Sequence, residues 1–139
     1  MLIVMQGPSG GGKSTKAREL APIYNAVICS TDDLFMENGV YNFQPDKLGL
    51  YHKKNLERAT ELLSQGISVI VDNTNIKCWQ AKGYVQAALQ YGHEVQFIRC
   101  NGQYVNIHGV PDKAVEDMRN GMEELTVESC LNSKTPWES

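Results

Sequence analysis

No apolar run in this chain approaches the roughly 18 uninterrupted residues that a membrane-spanning helix requires, which excludes a helical membrane protein. Cys29, Cys78, Cys100 and Cys130 form no C-x-x-C pair and have no histidine close by. Neither a zinc site nor a disulfide framework is therefore indicated, and reduced thiols are expected. A positive charge excess is missing too: the formal net charge is -3. That argues against tight, charge-driven binding to nucleic acid while leaving a local basic groove open. Internal repeats and low-complexity segments are absent. What remains is the composition of an ordinary globular domain, with 42% apolar and 21% charged residues among 139. This length has room for one compact domain and little more, which among nucleotide-binding chains favours a small kinase over a motor or transport ATPase.

The opening apolar run, Leu2-Ile3-Val4-Met5, leads straight into Gly7-Pro8-Ser9-Gly10-Gly11-Gly12-Lys13-Ser14. The run therefore reads as a strand and not a signal peptide, and a cytoplasmic location is expected. The glycine-rich segment fits G-x-x-x-x-G-K-[ST], a phosphate-binding loop between a strand and a helix. Glycines let the backbone turn its N–H groups inward, so that Gly7 to Thr15 cradle the phosphates of ATP at a helix N-terminus. Lys13 is expected to reach the β- and γ-phosphates, and the Ser14 hydroxyl to ligate Mg²⁺.

Strands and helices alternate along the rest of the chain. Ala26 to Cys29 reads as a second buried strand, ending in Ser30-Thr31-Asp32-Asp33. Met36 to Pro45 is an irregular insertion with an Asn38-Gly39 turn, and Pro45 opens a helix to Gln65, stopped by Gly66. Its apolar stripe is Leu48, Tyr51, Leu56, Ala59, Leu62 and Leu63, with Lys53, Lys54 and Arg58 off it. Ile67 to Asp72 is a third strand closing on a carboxylate, the Walker B pattern that supports Mg²⁺ beside the phosphate loop. An aspartate there is also a common cap or turn former. Asn73-Thr74-Asn75 is positioned to cap the next helix, which runs to about Tyr91. Glu94 to Cys100 is a fourth strand, Asn101 to Val110 a connector, and Pro111 starts a last helix to about Leu125.

This alternation predicts an α/β three-layer sandwich of the P-loop NTPase type, a parallel sheet of about four strands in the order 2-3-1-4 with helices on both faces. Residues 1–125 form the domain, with a short lid at about 101–111, and 126–139 form a C-terminal tail. The tail's Trp137 either docks back on the domain or is presented to a partner. Ligand groups are expected at the carboxyl ends of the strands.

Gly7, Gly10, Gly12, Lys13, Ser14 and Thr15 followed by Ala17-Arg18, the pair Asp32-Asp33, and Thr74-Asn75 together resemble the P-loop kinase domain of phage polynucleotide kinase. A group of small free-standing P-loop kinases and ATP-binding proteins is similar through Ser30-Thr31-Asp32-Asp33, Asp72-Asn73-Thr74-Asn75 and Asn106-Ile107-His108-Gly109-Val110-Pro111. Its members include phage kinases of hydroxymethylpyrimidine DNA. The resemblance covers residues 1 to about 125. It implies ATP and Mg²⁺ as cofactors, Asp32 as the base for the acceptor hydroxyl, and Asp72 as support for the metal. Asp33, Thr74, Asn75, Arg99 and His108 become candidate substrate contacts.

Departures from that pattern matter. Where polynucleotide kinases carry an arginine after the aspartate pair this chain has Leu34-Phe35, and Gly102 to Gly109 holds no lid arginine. Such an arginine supplies about 10³ to 10⁵ in rate, leaving Arg99, Arg119 or Lys13 to compensate. Three readings stand. One is a kinase of a hydroxyl on nucleic acid, DNA preferred, at a 5'-end or a hydroxymethyl base. The others are a nucleoside or small-metabolite kinase and a non-catalytic ATP-binding module. A basic surface from Lys53, Lys54, Arg58, Lys77 and Lys82 around Asp32 would favour the first, and a closed, largely apolar pocket the second.

Overall fold

The computed structural model describes residues 1–8, 12–100 and 121–137. Within them a parallel sheet is built from β1 (Leu2–Gln6), β2 (Val27–Cys29), β5 (Val69–Val71) and β6 (Val95–Arg99), in the order β2-β5-β1-β6. This is the expected 2-3-1-4 order. Ile3 pairs with Ile70 on one side and Gln96 on the other, so β1 is central and both of its faces are covered.

Alternation along the strands sorts the core into two layers, because successive side chains leave a strand on opposite faces. Leu2, Val4, Val69 and Val71 join Ala59 and Leu63 of α2 (Leu48–Ser64) and Ala81, Tyr84, Val85 and Ala88 of α3 (Cys78–Gln90). Ile3, Met5 and Ile70 point the other way, onto Ala17 and Leu20 of α1 (Lys13–Tyr24). Three layers follow directly from that split.

Several local expectations need correction. The insertion after β2 is ordered: a 3-10 turn at Thr31–Phe35 leads into a hairpin of β3 (Met36–Glu37) and β4 (Val40–Tyr41). Asn38 and Gly39 both have positive φ at its tip, the backbone that suits a tight hairpin's twist. Buried Phe35 anchors the hairpin through ring contacts with Tyr41, Phe43 and Tyr51. Asn73-Thr74-Asn75 does not cap α3, which starts three residues later. Asn75 is left-handed (φ 46°) and buried, and its Nδ2 donates to the Met5 carbonyl at 2.8 Å. The start of α3 is satisfied by Glu123, whose carboxylate accepts from the Cys78 N–H at 2.8 Å.

The last helix was expected to reach Leu125, yet 121–126 is non-helical and a short α4 (Val127–Leu131) follows, capped by the Thr126 hydroxyl on the Ser129 N–H. Cys130 is fully buried against α3, and Lys82 Nζ donates to the Ser133 carbonyl at 2.9 Å. Trp137 docks back, edge to face with Trp79. No helix among the described residues is long and apolar enough to cross a membrane.

Candidate active site

Gly7 leaves β1 with its N–H bonded to the Thr74 carbonyl at 2.9 Å. A Cβ at this position would run into the Cys100 carbonyl, so the loop must open on glycine. At the other end Gly12 is left-handed (φ 89°), a conformation costly for other residues, and turns the chain into α1. Ser9, Gly10 and Gly11 lie outside the described residues. Pro8 is buried, and Thr15 is exposed on the first turn of α1.

Lys13 is 9% exposed, with Nζ donating to the Pro8 carbonyl at 3.1 Å. Burial pulls its pKa below the ordinary lysine value, while the charges of Asp72, Asp32 and Cys100 pull the other way. Beside it the Ser14 hydroxyl donates to Asp72 Oδ2 at 2.9 Å. Burial raises the Asp72 pKa, opposed by the Ser14 hydrogen bond and by Lys13. Asp72 Oδ1 is buried without a hydrogen-bond partner among the described residues. An orphaned carboxylate oxygen next to a serine hydroxyl is a hard oxygen donor set, and it fits Mg²⁺ bound through few protein ligands.

Asp32 is half-buried and Asp33 exposed. Both sit in the 3-10 turn, where the alternation of an extended strand does not apply, and both charges reach Asp72. Only Asp32 also acts on Lys13. The Tyr41 hydroxyl donates to Asp32 Oδ1 at 3.3 Å, and burial together with Asp32 pushes its pKa up to about 12, so it stays a donor.

A polar network fixes the segment carrying Asp32. The Thr31 N–H donates to Asn73 Oδ1 at 2.9 Å, and Thr31 Oγ1 lies 3.0 Å from His52 Nδ1. Burial lowers the His52 pKa, opposed by Asp32. Underneath, fully buried Asn55 donates to the Tyr84 hydroxyl at 2.9 Å and to the Cys29 carbonyl at 3.3 Å, and it accepts from Arg58 Nη2 at 2.7 Å. Asn73 belongs to a motif read from the sequence, but its bond to Thr31 does not follow from it; His52, Tyr41 and Asn55 carry no motif, and the contacts of Asn55 with Cys29 and Tyr84 join residues 26 and 29 positions apart.

The remaining candidates separate. Thr74 lines a cavity of about 440 Å³ between α2 and α3, together with Asn75, whose amide nevertheless holds β1. Arg99 stands at the end of edge strand β6, its guanidinium bonded to Gln6 Oε1 and the Glu123 carbonyl, not to the Lys13–Asp72 centre. His108, Arg119 and the lid at 101–111 lie outside the described residues.

Comparison with known proteins agrees with this architecture. The human NEDD4-binding protein 2 is 33% identical over 148 aligned residues, covering 98% of this chain; the chain spans 8% of that relative's length. Among solved structures, a gluconokinase from Sinorhizobium meliloti superposes with TM-score 0.58 at 17% identity, over 88% of this chain and 74% of the other. A structure of a Pnkp1/Rnl/Hen1 complex gives TM-score 0.59 at 22% identity, over 99% of this chain and 43% of the other. At these identities the structural likeness establishes the fold alone. Residues 2–103 match the profile of the family described as an AAA domain, and the chain belongs to that family.

Proposed function

We propose that the chain is an ATP-dependent kinase that transfers the γ-phosphate to a hydroxyl of a small acceptor. The observation that carries this reading is the convergence of Lys13, the Ser14–Asp72 pair and half-buried Asp32 at one place; a cavity nearby is lined by His52 and Asn73, both bonded to Thr31. Lys13 and the loop amides would hold the ATP phosphates, and Ser14 and Asp72 would hold Mg²⁺. When bound, the metal neutralises charge on the phosphates. Asp32, oriented by Tyr41, takes the proton of the acceptor hydroxyl as its oxygen bonds to phosphorus and the bond to the leaving ADP oxygen breaks.

The placement of the cations bears on the size of the acceptor. A polymer groove needs clustered, available positive charge. Here Arg58 is bonded to Asn55, Lys82 to the Ser133 carbonyl, and Lys54 lies over the Tyr51 ring. The cavity beside them is walled by Leu56, Trp79 and Tyr84, with Lys53 as the one lysine among its described lining residues. These features support a small acceptor over the nucleic-acid hydroxyl that the motifs suggest. The second reading, a hydroxyl on DNA, draws on half-exposed Phe43, packed on Phe35 of the Asp32 turn, which offers stacking surface.

The test is transfer of labelled γ-phosphate from ATP to nucleosides, sugar acids, 5'-hydroxyl oligonucleotides and hydroxymethylpyrimidine duplex DNA. Label on a small acceptor, lost in Asp32→Asn, supports the proposal. Label on a polymer alone favours the second reading, and label on none with ATP still bound favours a non-catalytic module.

A further inference from the structure

The cavity between α2 and α3 has two chemically different ends. On the side of the Asp32 turn stand exposed His52 and half-buried Asn73, both bonded to Thr31, the residue before Asp32. At the outer end stand Trp79 and Trp137, ring centroids 5.3 Å apart and planes at 72°. Leu56, Gly83 and Tyr84 add apolar lining, and Lys53, Thr74, Asn75 and Gln80 add polar lining.

A sugar acid or polyol would need hydrogen-bond partners along its whole length, because each buried hydroxyl left unpaired is costly. This cavity offers a few polar groups, His52, Lys53, Asn73, Thr74 and Gln80 among them, against aromatic and aliphatic surface from Leu56, Trp79, Tyr84 and Trp137. A flat heteroaromatic ring suits it better: its faces pack on indole, and its polar edge meets an amide and a hydroxyl.

Trp137 is 75% exposed and comes from the C-terminal segment, which Cys130 and the Lys82–Ser133 bond anchor to α3. Its ring is therefore a wall added from outside the sheet-and-helix core.

We propose that the acceptor is a free nucleoside, its base lying against Trp79 and Trp137 and its hydroxymethyl end directed toward Asp32, with Trp137 determining acceptor choice. As an acceptor site this rests on the kinase reading above; as a nucleoside site it is testable by binding alone. The geometry places the base at the aromatic end and leaves the sugar at His52 and Asn73. Free nucleoside is favoured over a polymer end because Lys53 is the one lysine among the described lining residues while nearby Lys82 and Arg58 are engaged within the protein, short of the clustered charge a polymer needs.

The chain contains two tryptophans, and both line this cavity, so intrinsic indole fluorescence reports on it directly. Thymidine, cytidine, adenosine and guanosine would each be titrated with Mg²⁺ and the non-hydrolysable analogue AMP-PNP in excess, so that the donor nucleotide site is filled. At least one nucleoside should quench saturably. Trp137→Ala should raise its Kd by about tenfold, within the range of a lost stacking contact, and Trp137→Phe should recover most of the loss. The AMP-PNP affinity, measured separately, should not change in either variant. Absence of saturable quenching by any nucleoside, or an unchanged Kd in Trp137→Ala, would overturn the proposal. Binding confined to a 5'-hydroxyl oligonucleotide would overturn its free-acceptor part. Failure of AMP-PNP to bind would count against the kinase reading instead, and the nucleoside titration would still decide the cavity's ligand.

Discussion

The Ser14 hydroxyl donates to Asp72 Oδ2 at 2.9 Å, joining the first turn of α1 to the end of β5, while Asp72 Oδ1 has no partner among the described residues. Two segments 58 residues apart thus present one half-satisfied oxygen set beside the buried ammonium of Lys13. Removing either partner should be felt in metal use before it is felt in folding.

Asp72→Ala should abolish the Mg²⁺-dependent part of ATP affinity. Isothermal titration with and without Mg²⁺ checks this: the wild-type protein should bind ATP more tightly with the metal, and the variant should show little difference. An unchanged Mg²⁺ effect would remove Asp72 from the metal site.

Lys13→Ala should lower kcat/KM by at least about 10², the scale of losing one charge-stabilising donor at a reacting group. Circular dichroism should show the fold intact, since among the described residues the Lys13 side chain has one hydrogen bond, to the Pro8 carbonyl. Phosphate transfer at the wild-type rate in this variant would contradict the role given to the loop.

Asn55→Ala should destabilise the protein by about 1–3 kcal/mol, because the Arg58 guanidinium, the Tyr84 hydroxyl and the Cys29 carbonyl lose a buried partner together. Urea unfolding measures it. Activity should fall as well, since this network carries the turn holding Asp32.

His52 gives a pH signature. Burial holds its pKa below the ordinary 6.5, so the unfolded chain takes up a proton there that the folded chain resists. The stability it contributes is complete above about pH 6.5 and falls as pH drops from there toward the lower folded-state pKa. His52→Gln should flatten that part of the stability–pH curve. A parallel curve for the two proteins would show that His52 does not titrate as described.

The sheet was legible because its strands are short, β-branched and bounded by glycine or acidic turns, so that periodicity and the phosphate-loop spacing suffice to order them. Lys13 and Ser14 are marked by the phosphate-loop spacing at the start of α1, and Asp72 by its place just after the apolar strand β5. Asn75 was misassigned as a helix cap because asparagine suits both roles. Its left-handed backbone and its bond to Met5, 70 residues away, are long-range facts. His52 carries no motif; it matters because packing α2 against the Thr31 turn brings its ring within 3.0 Å of the Thr31 hydroxyl. The hairpin was visible only as its Asn38-Gly39 turn, since its two-residue strands are too short to show alternation. Trp137 could be noticed in the sequence but not placed, because nothing local decides whether a tail folds back.

The most direct test of the central claim is γ-phosphate transfer from ATP to nucleosides by the wild-type protein and by Asp32→Asn, with ATP binding measured in both. Transfer should fall in Asp32→Asn by about 10²–10⁴, the scale of a lost general base, while ATP affinity stays the same. Equal transfer by the two proteins would contradict that claim, as would the absence of transfer by a wild-type protein saturated with ATP.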